Sequence, residues 1–177
     1  MASSKSSIRT TEIDKGWKKI VGQIGKCDKS FVQVGLQDDG TTEDPDPNAK
    51  PGAPPPPLVS MVAYWNEFGT DKIPSRPFMR QTFEKRNVEL SKHIAAEYQA
   101  VLDGKKTAEF AMSLIGLWYE FQIKNEIVNG NWVPNAPAWA AIKESKRAPG
   151  NTQDVMPLID TGRMRASVRY IVKMGGK

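Results

Sequence analysis

The chain has 177 residues, a formal net charge of +5, 39% hydrophobic residues and a mean hydropathy of −0.50. This length suffices for one domain with its own core, or for one domain with an extended arm. The longest uncharged apolar run, residues 110–119, is far shorter than the roughly 20 residues that a membrane-spanning helix needs. We therefore expect no membrane contact. The polar N-terminus lacks an apolar core, so we expect no secretory signal and synthesis in the cytoplasm.

Histidine and cysteine are nearly absent from the sequence, which contains one of each, His93 and Cys27. A lone cysteine permits neither an intrachain disulfide nor a cysteine metal cluster. Metal sites and acid–base catalysis rely heavily on histidine. We expect no metal, no cofactor and no enzymatic activity, with Cys27 an ordinary thiol and His93 on a helix surface.

The first 36 residues predict a disordered start, a helix and a strand. Residues 1–7 are polar and expected to be disordered, so the folded domain covers residues 8–177. Residues 12–22 have apolar side chains at helical spacing, with Trp17 as a packing anchor, and a turn is expected after them. The β-branched run at 31–36 predicts a strand.

An insertion at residues 37–57 differs sharply in composition from the rest, with seven prolines, five acidic residues and one lysine. Such a segment favours an extended polyproline II conformation without a packed core. It is either a mobile loop or an arm that docks on a neighbouring subunit. The rest of the chain carries +9, which is compatible with nucleic-acid contact, but its basic residues are scattered. The best cluster is Arg163, Arg165 and Arg169.

The remaining sequence predicts helices followed by a second strand. The predicted helices cover 58–68, 77–102, 108–128, 137–144 and a short stretch ending at 167, and the strand covers 168–173. Thr107 is the expected N-cap of the helix at 108–128. The apolar stripe expected to be buried on the longest helix is Met79, Phe83, Leu90, Ile94, Tyr98 and Val101.

The helix at 108–128 is apolar nearly all round in its first half, where Phe110, Leu114, Leu117 and Trp118 lie. Such a helix is either buried on both sides, or buried on one side by its own fold and on the other by a neighbouring subunit. These four residues are therefore candidate contacts between subunits.

The sequence Asp160-Thr161-Gly162 matches the signature of aspartic proteases, in which two aspartates share a proton. Too few residues follow it to build the rest of a substrate cleft, and Arg163 and Arg165 would place fixed positive charge beside the pair. We interpret the motif as a helix start, with Asp160 or Thr161 accepting backbone N–H bonds.

Two longer stretches contain glycines and prolines at positions typical of helix ends and helix starts. Residues 66–80 read Asn-Glu-Phe-Gly-Thr-Asp-Lys-Ile-Pro-Ser-Arg-Pro-Phe-Met-Arg, and residues 157–167 read Pro-Leu-Ile-Asp-Thr-Gly-Arg-Met-Arg-Ala-Ser. In the first, Arg76 precedes a proline and is therefore extended, free to reach the carboxylate of Glu67 or Asp71. Pro77 suits the first position of the next helix.

These two stretches, with a weaker third at 130–137 (Gly-Asn-Trp-Val-Pro-Asn-Ala-Pro), closely resemble segments of a tailed-phage family. Its members are the neck or tail-completion proteins, also grouped as virion-morphogenesis or minor-tail-protein-Z-like proteins. The resemblance covers residues 31–172, apart from 37–57. It implies a structural virion protein that forms a ring, expected to be a hexamer, between the tail terminator or tail tube and the head-side connector, with DNA passing through. A tail terminator or a head-closure protein is the alternative within this class.

We expect an α+β fold in which long helices pack on a small sheet built from residues 31–36 and 168–173. Two short strands are marginal alone, which is a further reason to expect an oligomer. The predicted subunit contacts also include the corner at Arg76 and Phe78, the proline-rich arm, and the Arg163, Arg165 and Arg169 group, which would face acidic residues or DNA. A small nucleic-acid-binding module is the alternative from another class.

Overall fold

A computed structural model of the chain describes residues 14–37, 40–44, 51–146 and 156–175. The described residues form six α-helices and two β-strands with an α+β architecture. The predicted disorder at 1–7 and the middle of the proline-rich segment lie outside them. In chain order the elements are α1 (Trp17–Asp28), β1 (Phe31–Leu36), α2 (Val59–Phe68), α3 (Phe78–Leu102), α4 (Ala108–Asn129), α5 (Pro137–Lys146), α6 (Arg163–Ser167) and β2 (Val168–Lys173).

The sheet is a single antiparallel pair, in which Phe31 lies opposite Lys173 and Leu36 lies opposite Val168. Both strands have the predicted bounds. Helix α4 packs against the sheet at Gly116, where an added Cβ would lie 2.6 Å from the Tyr170 ring and 2.9 Å from Val32. The absence of a side chain at Gly116 therefore lets the helix backbone approach the sheet closely.

The core lies where α2, α3 and α4 meet the start of β2. Its fully buried side chains are Val59, Phe78, Ile123, Ile127 and Val168. Trp132 closes the core at the end of α4, and its indole Nε1 donates to the carbonyl of Ile127 at 3.2 Å. With its indole satisfied and its side chain 9% exposed, Trp132 belongs to the core.

Helix α1 differs from its prediction. The predicted turn after residue 22 is wrong, since the helix continues through Asp28. Two glycines, Gly22 and Gly25, weaken a helix by about 1 kcal/mol each without ending it. Trp17 is 67% exposed and does not anchor the helix. The described part of α1 buries no residue fully, so its apolar side chains only cover the ends of α3 and α4.

The predicted buried stripe of α3 is confirmed except at Phe83, since Val101 is buried and Met79, Leu90, Ile94 and Tyr98 are half-buried. Phe83 is 53% exposed, whereas Thr82 is fully buried and its Oγ1 donates to the carbonyl of Phe78 at 2.6 Å. Phe78 occupies the core at the first position of the helix, and this fixes which side of the first two turns faces inward. A polar side chain that bonds within its own helix can then be buried without an unsatisfied group.

Candidate functional site

A buried arginine joins two of the three distinctive stretches. Arg76 is only 5% exposed, and its guanidinium donates to the carbonyl of Val133 at 2.8 Å and to that of Pro134 at 3.2 Å. It also donates to the side-chain oxygens of Asn66 at 3.2 Å and Asn135 at 3.3 Å. Burial lowers the pKa of Arg76. Four oxygen acceptors on two segments therefore hold one cation between them.

The predicted carboxylate partner of Arg76 is wrong. Glu67 instead accepts from the backbone N–H groups of Met79 and Arg80 at 2.9 and 3.1 Å, and from Arg80 Nε at 3.1 Å. The carboxylate is the better acceptor for the free N–H groups at a helix start. Since Phe78 and Arg76 are both buried within the chain, neither side chain forms part of the exposed surface.

The three sequence stretches at 66–80, 130–137 and 157–167 line one cleft of about 420 Å³. Each contributes a wall, together with α5 and the acidic residue Glu43. The lining residues include Trp65, Asn66, Lys72, Ile73, Pro74, Arg76, Asn135, Ala136, Trp139, Lys143, Pro157, Leu158, Asp160, Thr161 and Met164. Residues far apart in the sequence are thereby brought together at the surface between α2, α5 and α6.

Two polar side chains at this cleft, Lys143 and Asn135, were not predicted from the sequence as site residues. Lys143 is 4% exposed, bonds the carbonyls of Met156 and Ile159 through Nζ, and lies 3.8 Å from the Asp160 carboxylate. Asn135 accepts from Arg76 through Oδ1, while its Nδ2 is buried and makes no hydrogen bond within the described part of the chain. Neither residue follows a periodic or catalytic pattern that a single sequence would reveal.

The Asp160-Thr161-Gly162 motif starts α6. Thr161 Oγ1 accepts from the backbone N–H of Arg163 at 3.3 Å and donates to the Glu43 carboxylate at 2.9 Å. The Asp160 side chain is 60% exposed and its carboxylate lies 3.8 Å from Lys143 Nζ. The motif therefore has the structural role expected from the sequence.

The predicted arginine cluster does not act as one group. Arg163 donates to the carbonyl of Thr42 at 3.1 Å and pairs with the carboxylate of Asp44, so it binds the acidic segment of its own chain. Arg165 and Arg169 are exposed. Because Thr42 also pairs with Leu58, residues 40–44 are held on the domain surface.

Helix α4 has a continuous apolar face that points away from the core, here called the α4 stripe. Phe110, Leu117 and Phe121 are 54%, 53% and 62% exposed, and Leu114 between them is half-buried. Spacings of four, three and four residues place these side chains on one side of the helix. Phe121 was missing from the predicted contacts, although the same periodicity includes it. Within the described part of this chain α4 is therefore buried on one side only. This agrees with the second predicted alternative as far as the chain's own fold is concerned.

Trp118, also a predicted contact, is half-buried and stacks on His93 with 5.3 Å between the ring centroids. The sequence predicted His93 on the helix surface. In the structure its Nε2 is buried and has no hydrogen-bond partner in the described chain.

Burial raises the pKa of the Cys27 thiol, which makes this thiol less reactive.

Among residues 14–37, 40–44, 51–146 and 156–175, no group of histidine, cysteine, aspartate and glutamate is arranged to hold a metal ion. Within the same residues, every helix is too short or too polar to span a membrane. No known protein family, curated protein or solved structure matches the chain.

Proposed function

We propose that this chain is a structural protein of a tailed phage, a neck or tail-completion subunit that forms a homo-oligomeric ring at the head-proximal end of the tail. The ring, a hexamer, joins the tail terminator or tail tube to the head-side connector and lets DNA pass through its lumen. The role is assembly and sealing without catalysis. A tail terminator or head-closure protein is the alternative in the same class.

The observation that carries the proposal is the α4 stripe. Its three most exposed residues are each more than half accessible and lie along one helix, so the chain leaves a row of large apolar side chains in water. Contiguous apolar surface of this kind typically marks a protein interface. The kind of assembly, a ring in the phage neck, is proposed from the resemblance of the three stretches to the phage family. These three stretches line one cleft, which supports treating them as one structural unit.

A small nucleic-acid-binding module is the second candidate. The exposed Arg165 on α6 and Arg169 on β2 favour it, as does the +9 charge outside the proline-rich segment. Phosphate contacts of exposed arginines make DNA affinity fall steeply with salt. A salt-insensitive assembly driven by apolar contacts would instead support the ring.

The test is cryo-electron microscopy of the neck in intact virions of the phage that encodes the chain. The expected result is density for a ring of this fold between the head connector and the tail tube, with the α4 stripe covered by a neighbouring protein. Absence of the chain from mature particles would overturn the proposal and bring the nucleic-acid-binding module forward.

A further inference from the structure

The cleft between α2, α5 and α6 presents hydrogen-bond donors beside aromatic rings. Trp65 and Trp139 both line it, and Trp139 is 44% exposed. The Asn135 Nδ2 donor is buried there without a partner in the described chain. Its identity is fixed by Arg76, which has only donors and must therefore face the Asn135 oxygen. A buried donor without an acceptor is unfavourable, so this site favours a ligand that brings an acceptor and apolar surface.

The chain itself carries a segment with these properties at residues 51–58, here called the proline arm. It contains four consecutive prolines, which have carbonyl acceptors but no N–H donors. Residues 53–57 form neither helix nor strand, and Pro54, Pro55 and Pro57 are exposed. Within the described chain, the first three of the four carbonyls accept no hydrogen bond, whereas Pro57 accepts from the Glu43 N–H at 2.9 Å. The four consecutive prolines of the arm thus form a largely exposed apolar strip that offers acceptors and no donors.

We infer that the cleft of one subunit binds the proline arm of a second copy of this chain. The inference rests on the proposed ring, for which it supplies the contact between neighbours. Proline-rich segments dock in aromatic-lined grooves because their backbone is extended in advance and loses little entropy on binding. The arm carbonyls accept from Asn135 Nδ2 and the indole N–H groups, while the proline rings cover Trp65 and Trp139.

The arm does not fill the cleft of its own chain. No residue of 51–58 lines that cleft, and the arm is anchored at its end, where Leu58 pairs with Thr42 and Pro57 bonds Glu43. Arm and cleft adjoin at Glu43 but consist of different residues, so their contact between copies is head-to-tail. Contacts of this type generate a closed ring when the rotation between subunits closes.

The first experiment measures binding of a synthetic peptide, Pro-Gly-Ala-Pro-Pro-Pro-Pro-Leu, to the full-length chain by tryptophan fluorescence and calorimetry. The receptor carries serine at positions 54–57, so that no arm competes for the cleft. Saturable binding is expected, and a peptide with serines in place of the four prolines should not bind. Failure of the proline peptide to bind would overturn the inference.

Matched receptor variants locate the binding. Asn135→Asp removes the Nδ2 donor but keeps an oxygen for Arg76, and it should weaken peptide binding about tenfold. Trp139→Ala should weaken it at least as much, because the proline rings lose both the aromatic surface and the apolar area of the indole. Trp17→Ala, at an exposed indole on α1 that does not line the cleft, should leave the affinity unchanged. Equal effects at Trp17 and Trp139 would contradict the assigned site.

A mixing experiment tests the second copy as the occupant. The arm variant keeps a working cleft, and the variant with both Asn135→Asp and Trp139→Ala keeps a working arm, so their mixture should form one-to-one pairs in sedimentation velocity. If the peptide binds but no pair forms, the occupant is a foreign proline-rich segment and the inference is wrong. Peptide binding requires neither a ring nor a virion, so its failure leaves the proposed function standing. Conversely, a bound peptide together with absence from the neck would remove the proposed function alone.

Discussion

Glu67 near the end of α2 and Arg80 in the first turn of α3 are joined by three hydrogen bonds. The Glu67 carboxylate accepts from both the backbone N–H and the side-chain Nε of Arg80 at 3.1 Å, and the Glu67 carbonyl accepts from Arg80 Nη2 at 2.8 Å. The N-cap position of α3 is Pro77, which offers no capping side chain. A carboxylate from the preceding helix therefore supplies the cap and fixes the angle of the corner between the two helices.

Replacing Glu67 with alanine should lower the free energy of unfolding by about 2–3 kcal/mol, because two helix N–H groups lose their acceptor in a buried site. Urea denaturation measures the change. Glu84→Ala, at an exposed position on α3, is the control and should shift stability by less than about 0.5 kcal/mol. Equal effects of the two substitutions would show that Glu67 does not cap α3.

Two helical glycines should respond in opposite directions to alanine. Gly116→Ala should destabilise by about 1–3 kcal/mol, because the new Cβ would lie 2.6 Å from the Tyr170 ring. Gly25→Ala should stabilise by about 0.5–1 kcal/mol, because that Cβ meets nothing within 4 Å and alanine is the better helix former. Thermal unfolding of both variants checks the signs, and a rise in Tm for Gly116→Ala would refute the close approach of α4 to the sheet.

Arg76→Lys should destabilise the chain by about 2–3 kcal/mol despite keeping the charge. A lysine ammonium cannot reach four acceptors spread over Asn66, Val133, Pro134 and Asn135, so some buried oxygens are left without donors. Chemical denaturation measures the loss. Arg86→Lys, at a half-buried position on α3, should have little effect, since among the described residues that arginine bonds only Glu89.

Stability should fall at alkaline pH, in part through Tyr119. Burial raises the pKa of its hydroxyl above the ordinary value of 10.0, so the folded state holds this proton more tightly than the unfolded state does. The resulting stabilisation is complete below pH 10 and is lost as the pH rises through the folded-state pKa. Urea midpoints between about pH 8 and pH 11 should decline less steeply for Tyr119→Phe than for the unchanged chain. Parallel declines would show that Tyr119 ionises equally well in the folded state.

The α4 stripe should affect assembly but not folding. Leu117→Gln and Phe121→Gln change side chains that are 53% and 62% exposed, so the free energy of unfolding should move by less than about 0.5 kcal/mol. Incorporation of the variants into virions should be lost, because the apolar contact with a neighbour is removed. Val88→Gln, at a 63% exposed position on α3, is the matched control. Normal incorporation of both stripe variants would separate this surface from the ring.

Local chemistry in the sequence was enough to predict most elements of the fold. The bounds of β1 and β2 are confirmed, and so is Thr107 as the N-cap of α4, where its side chain accepts from the N–H of Phe110 at 3.3 Å. These features depend on β-branched runs and capping residues that act within a few positions. The end of α1 was wrong because glycine lowers helix propensity without forbidding a helix.

The site was less predictable, because its geometry depends on pairing between distant segments. The preference of Arg76 for Asn135 and two carbonyls over Glu67 follows from the position of residues 133–135 beside α2, which no local pattern encodes. Asn135 and Lys143 likewise acquire their importance only through burial against other segments. The α4 stripe, by contrast, follows from helical periodicity, and only Phe121 was missed.

The pairing of Leu36 with Val168 also determines when the fold can be completed. Everything from α2 to α6 lies between the two strands, so β1 has no sheet partner until all of those helices have been synthesised. Such a distant contact closes a long loop, which slows folding relative to local contacts. During that interval the apolar face of β1, with Val32 and Val34, depends on the helices alone for cover. A chain shortened before β2 should therefore lack the sheet and remain incompletely folded.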